Sequence, residues 1–240
     1  MIARAGKKKG SDGRLFAIGD IHGCPDEVDA LVKTIKPQAG DTVVFAGDYV
    51  DRGPSSRDVI DLLIELPRHG CECVFLKGNH EDMMLSFLGL QGHYGESFLM
   101  NGGVATLDSY GINETRLPNA IEYIPQGHLD FYRNLAVSYL RPPYLFVHAG
   151  VMPARQLDEQ DVEDLLWIRQ EFILSPHDLG NVVLFGHTPM REVMVDLPYK
   201  IGIDTGLVYG NKLSCLELTE GTLHQVSRGS RQVNSRRFAL

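Results

Sequence analysis

Residues 42–53 read TVVFAGDYVDRG, a β-branched and aromatic run that ends in a glycine-flanked acidic loop. The run predicts a strand over 42–46, and the apolar spacing after the loop predicts a helix over 55–66. The same order of strand, loop and helix occurs over 14–35, with the helix predicted over 25–35, and again from residue 71 into a helix near Glu81. Repeated units of this kind favour parallel strands with helices on their faces, so the N-terminal half is predicted to be α/β.

The remainder of the chain differs in amino-acid composition and in its predicted secondary structure. Residues 89–127 are rich in Gly, Asn, Tyr and Ser, and we expect a surface segment that overhangs a site and influences substrate choice. Further strands are predicted over 136–140, 144–147, 182–185, 192–196, 200–203, 213–218 and 223–226, with one helix over 162–172. The second half is therefore predicted to be β-rich, and no boundary between two domains is evident.

Charge is unevenly distributed along the 240 residues. The net charge is −8, yet eight cations lie in the first ten and last thirteen residues, so the body between them carries −16. That body excludes a generic attraction to nucleic acid or to anionic membranes. We predict a flexible basic tail over 1–13, one domain over 14–227 and a basic C-terminal tail over 228–240. The absence of a long apolar stretch favours a cytoplasmic protein, and the oligomeric state is left open.

Five short motifs follow apolar runs directly and carry side chains suited to chemistry. They are Gly-Asp20-Ile-His22-Gly, Gly-Asp48-Tyr-Val-Asp51-Arg52-Gly, Gly-Asn79-His80-Glu81, His148-Ala-Gly and Gly-His187-Thr. Ligands of open α/β sheets collect at the carboxyl ends of strands, so we expect the five loops to converge. One such motif would be weak, but five in order make a purely structural interpretation improbable.

The residue types at these positions suggest a pair of metal ions. Asp20 and His22 can face one ion, Asp48 can bridge two, and Asn79, His148 and His187 can serve the second. Oxygen and nitrogen donors without thiolate favour Mn²⁺, with Fe or Zn²⁺ as alternatives. Two such ions about 3.5–4 Å apart lower the pKa of a bridging water towards ~7, which provides a hydroxide for in-line attack on phosphorus.

Phosphate hydrolysis also needs cations and a proton donor. Arg52 and Arg169, together with Asn79, are the candidate phosphate-binding residues, although Arg169 could instead be a charge on a helix surface. His80 is the candidate general acid, and Asp51 could fix its tautomer by a hydrogen bond. Glu81 is interpreted as a first-turn helix acid rather than a catalytic group.

The set GDIHG, GDYVDRG, GNHE, HAG and GHT resembles the calcineurin-like metallophosphoesterases, specifically the phosphoprotein phosphatase branch, from about residue 17 to 218. The resemblance implies two mixed sheets that form a β-sandwich flanked by helices, in four αββα layers. It also implies one metal at Asp20, His22 and Asp48, and another at Asp48, Asn79, His148 and His187. By the same resemblance Asp51, Arg52 and His80 serve the phosphate and the leaving group.

Three further stretches are similar to the bacterial members, which include protein phosphatases and symmetrical diadenosine tetraphosphate hydrolases. These are Trp167-Ile-Arg169, Asn101-Gly-Gly and Ile203-Asp-Thr-Gly, whereas the C-terminal Ser-Ala-Pro-Asn-Tyr-Cys stretch of the eukaryotic enzymes is missing. A serine/threonine protein phosphatase is favoured, because 89–127 offers only Arg116 as a cation for additional phosphates. The alternatives are a symmetrical bis(5'-nucleosyl)-tetraphosphate hydrolase, acting on a phosphorylated small molecule, and a noncatalytic scaffold.

Overall fold

The computed structural model describes residues 3–4 and 13–239, which contain twelve strands in two sheets. The strands are β1 (Ala3–Arg4), β2 (Leu15–Ile18), β3 (Thr42–Phe45), β4 (Glu72–Phe75), β5 (Ser138–Arg141), β6 (Tyr144–Val147), β7 (Val182–Phe185), β8 (Met194–Asp196), β9 (Lys200–Gly202), β10 (Lys212–Glu217), β11 (Thr222–Ser227) and β12 (Val233–Arg237). The helices are α1 (Pro25–Ile35), α2 (Ser56–Glu65), α3 (Asn79–Phe87), α4 (Gly103–Ser109), α5 (Gln126–Arg133), α6 (Val162–Trp167) and α7 (Gln170–Ile173), joined by short 3₁₀ turns.

Both sheets are mixed, as predicted. The first has the order β12-β11-β10-β2-β3-β4, with β2, β3 and β4 parallel and the other pairs antiparallel. The second has the order β1-β5-β6-β7-β9-β8, in which β6, β7 and β9 are parallel. Parallel strands present their carboxyl ends at one edge, which is where the five motifs are attached.

Side chains that alternate between the two faces of each strand pack into the separate layers of the fold. Phe16 and Ile18 of β2 belong to the core beneath the helices, whereas Leu15 and Ala17 pack in the core that contains Phe146 of the second sheet. A third cluster joins the outer face of β6 and β7 to α6 and α7. Because side chains alternate between the faces of a strand, each fully buried strand contributes to two cores. The predicted αββα order of layers is confirmed.

The predicted surface segment over 89–127 is mostly exposed or half-buried, but it also contributes side chains to the core. Phe98, Leu107 and Tyr110 are buried in the helical layer, and α4 contacts α2. Their apolar side chains are spread among Gly, Asn and Ser, so the overall composition concealed them. The segment therefore lies at the surface with one side packed into the core, and the apolar side chains of Met100 and Val104 are exposed.

The predicted tails also differ from what is observed. Residues 233–237 form β12, which pairs antiparallel with β11, and Arg228 donates a hydrogen bond of 2.7 Å to the buried carboxylate of Glu27. Pairing and acidic partners on α1 hold this basic stretch, so it is not a free tail. Ala3 and Arg4 pair with β5, and the rest of the N-terminal tail, residues 1–2 and 5–12, lies outside the described residues.

The predicted helix over 162–172 is two helices separated at Ile168 and Arg169. Lys200, which is fully buried, donates hydrogen bonds to the backbone carbonyls of Phe172, Ile173 and Ser175. These bonds satisfy the carboxyl end of α7 and fix it against β9. Within the described residues no helix combines the length and the apolar character that crossing a bilayer requires.

Asp41 links the starts of β2 and β3, and its removal should lower stability. Its carboxylate accepts hydrogen bonds from the Arg14 guanidinium at 2.6 Å and from the backbone N–H groups of Arg14 and Gln38. Burial alone would raise the pKa of Asp41, but these donors outweigh it and lower the pKa below its ordinary value. Asp41→Asn is expected to cost about 1–2 kcal/mol of unfolding free energy near neutral pH.

The sign of the pH dependence follows from the lowered pKa. The stabilisation by the Asp41 carboxylate is complete at pH values above about 4, the pKa of this group in the unfolded chain. It is lost as the pH falls through the lower pKa that Asp41 has in the folded protein. Urea unfolding from about pH 7 to about pH 3 should show the difference between wild type and Asp41→Asn narrowing. Asp29→Asn, which breaks the exposed pair with Lys33, is the control and should change stability little. A pH-independent deficit in Asp41→Asn would contradict the ionic explanation.

Candidate metal centre and active site

The five predicted loops converge at the carboxyl ends of strands in both sheets. Asp20 and His22 follow β2, Asp48 follows β3 and Asn79 begins α3 after β4. His148 and His187 follow β6 and β7. Each of these six side chains is at most 4% exposed. Buried polar side chains need partners, and those of this cluster are backbone groups, Arg52 and other members of the cluster.

Asp48 occupies the centre of the cluster. Its Oδ2 lies 3.5 Å from Nε2 of His22, and its Oδ1 lies 3.4 Å from Nε2 of His148. The Asn79 Oδ1 is 3.0 Å from His148 Nε2 and 2.9 Å from His187 Nδ1. Two groups of ligand-type atoms result, His22 with Asp48 and His80, and Asp48 with His148 and His187. Asp48 is the member common to both, in agreement with the predicted bridging position.

The tautomers of two imidazoles follow from backbone contacts. His22 donates from Nδ1 to the carbonyl of Val50 at 2.7 Å, and His148 donates from Nδ1 to the carbonyl of Ala46 at 2.8 Å. A carbonyl can only accept, so Nε2 of each neutral ring carries a lone pair that faces the Asp48 carboxylate. Burial lowers the pKa of His22 to about 3 and also lowers the pKa of His148, so both rings are neutral. Acceptors that face acceptors at this distance fit a cation between them.

Asp20 lies beside these groups rather than within them. Its Oδ2 accepts the backbone N–H of His187 at 2.9 Å, while its Oδ1 is buried with no hydrogen-bond partner among the described residues. Burial raises the pKa of Asp20, and the nearby carboxylates of Asp204 and Asp48 raise it further. An unpaired buried carboxylate oxygen amid other acids is what a divalent cation would stabilise.

Asp204 is an acidic residue of this site that the sequence analysis did not include among the candidates. It is 5% exposed, it accepts the N–H of Gly206 at 2.9 Å, and burial raises its pKa to about 6. It follows β9 as the other motifs follow their strands, in Ile203-Asp-Thr-Gly. That position after an apolar run was the available signal.

His80 and Asp51 form the predicted pair. Nδ1 of His80 lies 2.6 Å from Oδ2 of Asp51, and the other oxygen of Asp51 accepts a hydrogen bond of 2.6 Å from the hydroxyl of Thr106. Burial alone would lower the pKa of His80, but Asp48 and the bond to Asp51 outweigh it and raise the pKa. Nε2 of His80 lies 4.0 Å from Oδ2 of Asp48, so this edge of the imidazole faces the shared ligand. Thr106, in the segment predicted to overhang the site, fixes the pair from behind.

Arg52 and Arg169 approach the cluster from two sides. Nη1 of Arg52 donates to Nε2 of His22 at 2.7 Å, and Nη1 of Arg169 donates to the backbone carbonyl of His187 at 2.9 Å. Arg169 is exposed, but it is the residue at the break between α6 and α7, and its contact links it to the site. The structure therefore brings both predicted phosphate-binding arginines to the candidate ligands.

Five non-glycine residues of these motifs have left-handed backbone conformations, namely His22, Asp48, Asp51, Arg52 and His187, with φ between 45° and 71°. Non-glycine residues adopt this region at a cost, and surrounding contacts must hold them there. The strained backbone is concentrated where the side chains must converge. The contacts of Glu81, which bind the backbone N–H of Asp48, hold part of this strained backbone in place.

Glu81 is a first-turn acid of α3, as predicted from the sequence, and it also positions the loop after β3. Its fully buried carboxylate accepts four backbone N–H groups, from Tyr49 at 2.7 Å and Val50 at 3.2 Å on Oε1, and from Asp48 at 3.0 Å and Gly78 at 2.9 Å on Oε2. Burial raises the pKa of Glu81 to about 7, with a further contribution from Asp48, while the N–H donors act in the opposite direction. The side chain ties the loop after β3 to the start of α3.

Comparison with known proteins gives the same family as the fold and the site. The profile of the calcineurin-like phosphoesterases matches residues 13–213. A serine/threonine-protein phosphatase 1 from Salmonella typhimurium is 30% identical over 220 residues, covering 83% of this chain and 89% of that protein. An asymmetrical bis(5'-nucleosyl)-tetraphosphatase from Oceanobacillus iheyensis is 26% identical over 245 residues, covering 91% of this chain and 93% of that protein.

A solved structure provisionally described as a diadenosine tetraphosphatase superposes with a TM-score of 0.69 at 24% identity, over 95% of this chain and 97% of that chain. This likeness concerns the fold. The chain belongs to the calcineurin-like phosphoesterase family. It is a phosphate-ester hydrolase, so the noncatalytic alternative is set aside, and members of this family use divalent metal ions.

Proposed function

We propose that the protein is a serine/threonine protein phosphatase dependent on two divalent metal ions, with Mn²⁺ as the expected metal. Asp20, His22 and Asp48 would hold one ion, and Asp48, Asn79, His148 and His187 the other. The facing lone pairs around Asp48 and the unpartnered oxygen of Asp20 support this assignment. When bound, such ions neutralise phosphate charge and activate water. A cytoplasmic location stays a prediction from the sequence.

The remaining side chains have separate tasks in this proposal. Arg52 and Arg169 bind and orient the phosphate, since a guanidinium can bond two phosphate oxygens and remains charged at any working pH. Asn79 has a dual assignment, as ligand and as a phosphate contact. Asp51 keeps the His80 ring oriented through the 2.6 Å bond to Nδ1, which leaves Nε2 directed at the reaction centre. His80 donates the proton that the leaving group requires.

The observation that carries the choice of substrate is the buried His80–Asp51 pair, 4.0 Å from the shared Asp48. A serine or threonine alkoxide is a strong base and leaves readily only when protonated. A nucleotide that leaves from a polyphosphate is a weak base and needs little such help. A proton held at this position is therefore of most use against an alkyl phosphate ester.

Hydrolysis of dinucleoside polyphosphates is the second candidate. The tetraphosphatase from Oceanobacillus iheyensis favours it, and so does the exposed ring of Tyr209 beside Arg52, which could contact a nucleobase. The symmetrical reaction is the alternative predicted from the sequence, whereas that relative is named for the asymmetrical one. Arg116, the cation offered by 89–127, bonds the carbonyl of Gly111 and stacks on Tyr123. Within the described residues, Arg52 and Arg169 are the cations that contact the candidate ligands and could hold a longer phosphate chain.

Steady-state kinetics with added Mn²⁺ decides between the two candidates. The kcat/KM values of a phosphoserine peptide, diadenosine tetraphosphate and p-nitrophenyl phosphate should be compared. The metal requirement is tested on chelator-treated protein before and after reconstitution with Mn²⁺, Fe²⁺ or Zn²⁺. We expect the highest kcat/KM on the phosphopeptide and loss of activity without metal. A hundredfold preference for diadenosine tetraphosphate, about 2.7 kcal/mol of transition-state binding, would overturn the proposal.

A further inference from the structure

Tyr209 presents a large exposed aromatic ring next to the candidate phosphate clamp. The side chain is 62% exposed, and Cζ of Arg52 lies 5.6 Å from the centre of its ring. The same guanidinium donates to His22 Nε2 at 2.7 Å. One arginine therefore connects a candidate metal ligand on one side with an exposed ring on the other.

The backbone that carries the ring is well fixed. Tyr209 ends the 3₁₀ turn Leu207–Tyr209 and donates its N–H to the carbonyl of Gly206 at 3.1 Å. Gly206 is in turn bound to the buried carboxylate of Asp204, and Asn211 also donates to the Gly206 carbonyl. Leu207, 2% exposed, anchors the turn in the core. An exposed ring on a rigid turn loses little conformational entropy when a ligand covers it.

Packing alone does not account for this position. With 62% of the side chain exposed, the ring buries little apolar surface, and its near neighbour is a cation. Guanidinium groups stack on aromatic faces, and aromatic faces also receive other flat rings. A phosphate on Arg52 would bring the group that it carries close to the Tyr209 ring.

We propose that Tyr209 is a specificity-determining residue whose ring contacts a flat aromatic group carried by the phosphate. This inference rests on the phosphate-binding role of Arg52 in the proposed function. It goes beyond the protein phosphatase activity by naming a second class of ligand for the same site, phosphates that carry a planar ring. The shared chemistry is a planar ring, which an aryl ester or a nucleobase can provide. An alkyl phosphate such as phosphoserine gains nothing from the contact.

Ligand binding tests the inference without requiring turnover. Calorimetry on the Mn²⁺-loaded protein would compare phenylphosphonate, methylphosphonate and α,β-methylene adenosine diphosphate. Tyr209→Leu removes the flat face and keeps an apolar side chain, and Tyr209→Phe keeps the face. The matched control is Tyr123→Leu, which disrupts another surface Arg–Tyr pair, with 4.8 Å between Cζ of Arg116 and the ring centre, outside the candidate ligand set.

Tyr209→Leu is expected to weaken phenylphosphonate or nucleotide binding about tenfold, the scale of one stacking contact, with methylphosphonate unchanged. Tyr209→Phe and Tyr123→Leu should bind like wild type. Weakening of phenylphosphonate identifies an aryl ester as the source, and weakening of the nucleotide analogue alone identifies a base. Unchanged binding of both aromatic ligands, or equal weakening of all three, overturns the inference. Failure of the proposed function is read separately, from the absence of hydrolysis in the wild type.

Discussion

Glu81→Gln is expected to weaken Mn²⁺ binding by about 10- to 100-fold, although Glu81 is not among the proposed metal ligands. Each oxygen of the carboxylate accepts two backbone N–H groups, and two of these belong to Asp48 and Tyr49. Glutamine has one acceptor oxygen, so its amide hydrogens would face two of the four donors. The loop must then move, and it carries the side chain that the two ligand groups share.

The same substitution should also lower the unfolding free energy by about 3 kcal/mol, because buried N–H groups lose their acceptor. Calorimetric titration with Mn²⁺ and urea unfolding of the metal-free protein would measure the two effects. Asp82→Asn is the matched control, since this neighbouring buried acid of α3 bonds Lys77 and His93 instead. We expect it to lose stability and to keep its Mn²⁺ affinity. Equal loss of Mn²⁺ affinity in Glu81→Gln and Asp82→Asn would show that Glu81 stabilises α3 and has no specific role in positioning the loop after β3.

The sequence located the six candidate ligands because each stands within a few residues of the end of a strand. Runs such as 42–46 and 144–147 are continuously apolar, which identifies strands covered on both faces. Parallel pairing brings together the carboxyl ends of β2 and β3 in one sheet and of β6 and β7 in the other. The packing of the two sheets then places Asp48 beside His148, although the two residues are far apart in the chain. The helix over 25–35 was predictable to the residue from its apolar spacing and Pro25.

The contacts of Glu81 and Thr106 could not be predicted in this way. Glu81 has the composition of an ordinary first-turn acid, and only the tertiary approach of the loop after β3 gives it four N–H partners. Thr106 reaches Asp51 from 55 positions further along the chain. The strand β12 was missed because its basic composition obscured any alternation, while its pairing depends on the free edge of β11. The misses at Glu81 and Thr106 concern partners that are distant in sequence.

Replacement of His80 tests the leaving-group argument, and its expected effect depends on the substrate. His80→Asn should lower kcat on a phosphoserine peptide by about 10²- to 10⁴-fold, the usual contribution of a positioned acid. The loss on p-nitrophenyl phosphate should be much smaller, since nitrophenolate is a weak base that leaves without a proton. Parallel kinetics on the two substrates measures the difference directly, with His224→Asn as a control at a ring that bonds Ser235.

Metal affinity must be followed in the same variant, because His80 also lies among the atoms that could bind an ion with His22 and Asp48. As a proton donor held by Asp51, His80 can be replaced without weakening Mn²⁺ binding, and the kinetic loss then depends on the basicity of the leaving group. As a ligand, its replacement would lower Mn²⁺ affinity and reduce turnover of both esters alike. The pair of measurements therefore separates the two roles, and a uniform loss with weakened Mn²⁺ binding would remove the acid from the mechanism.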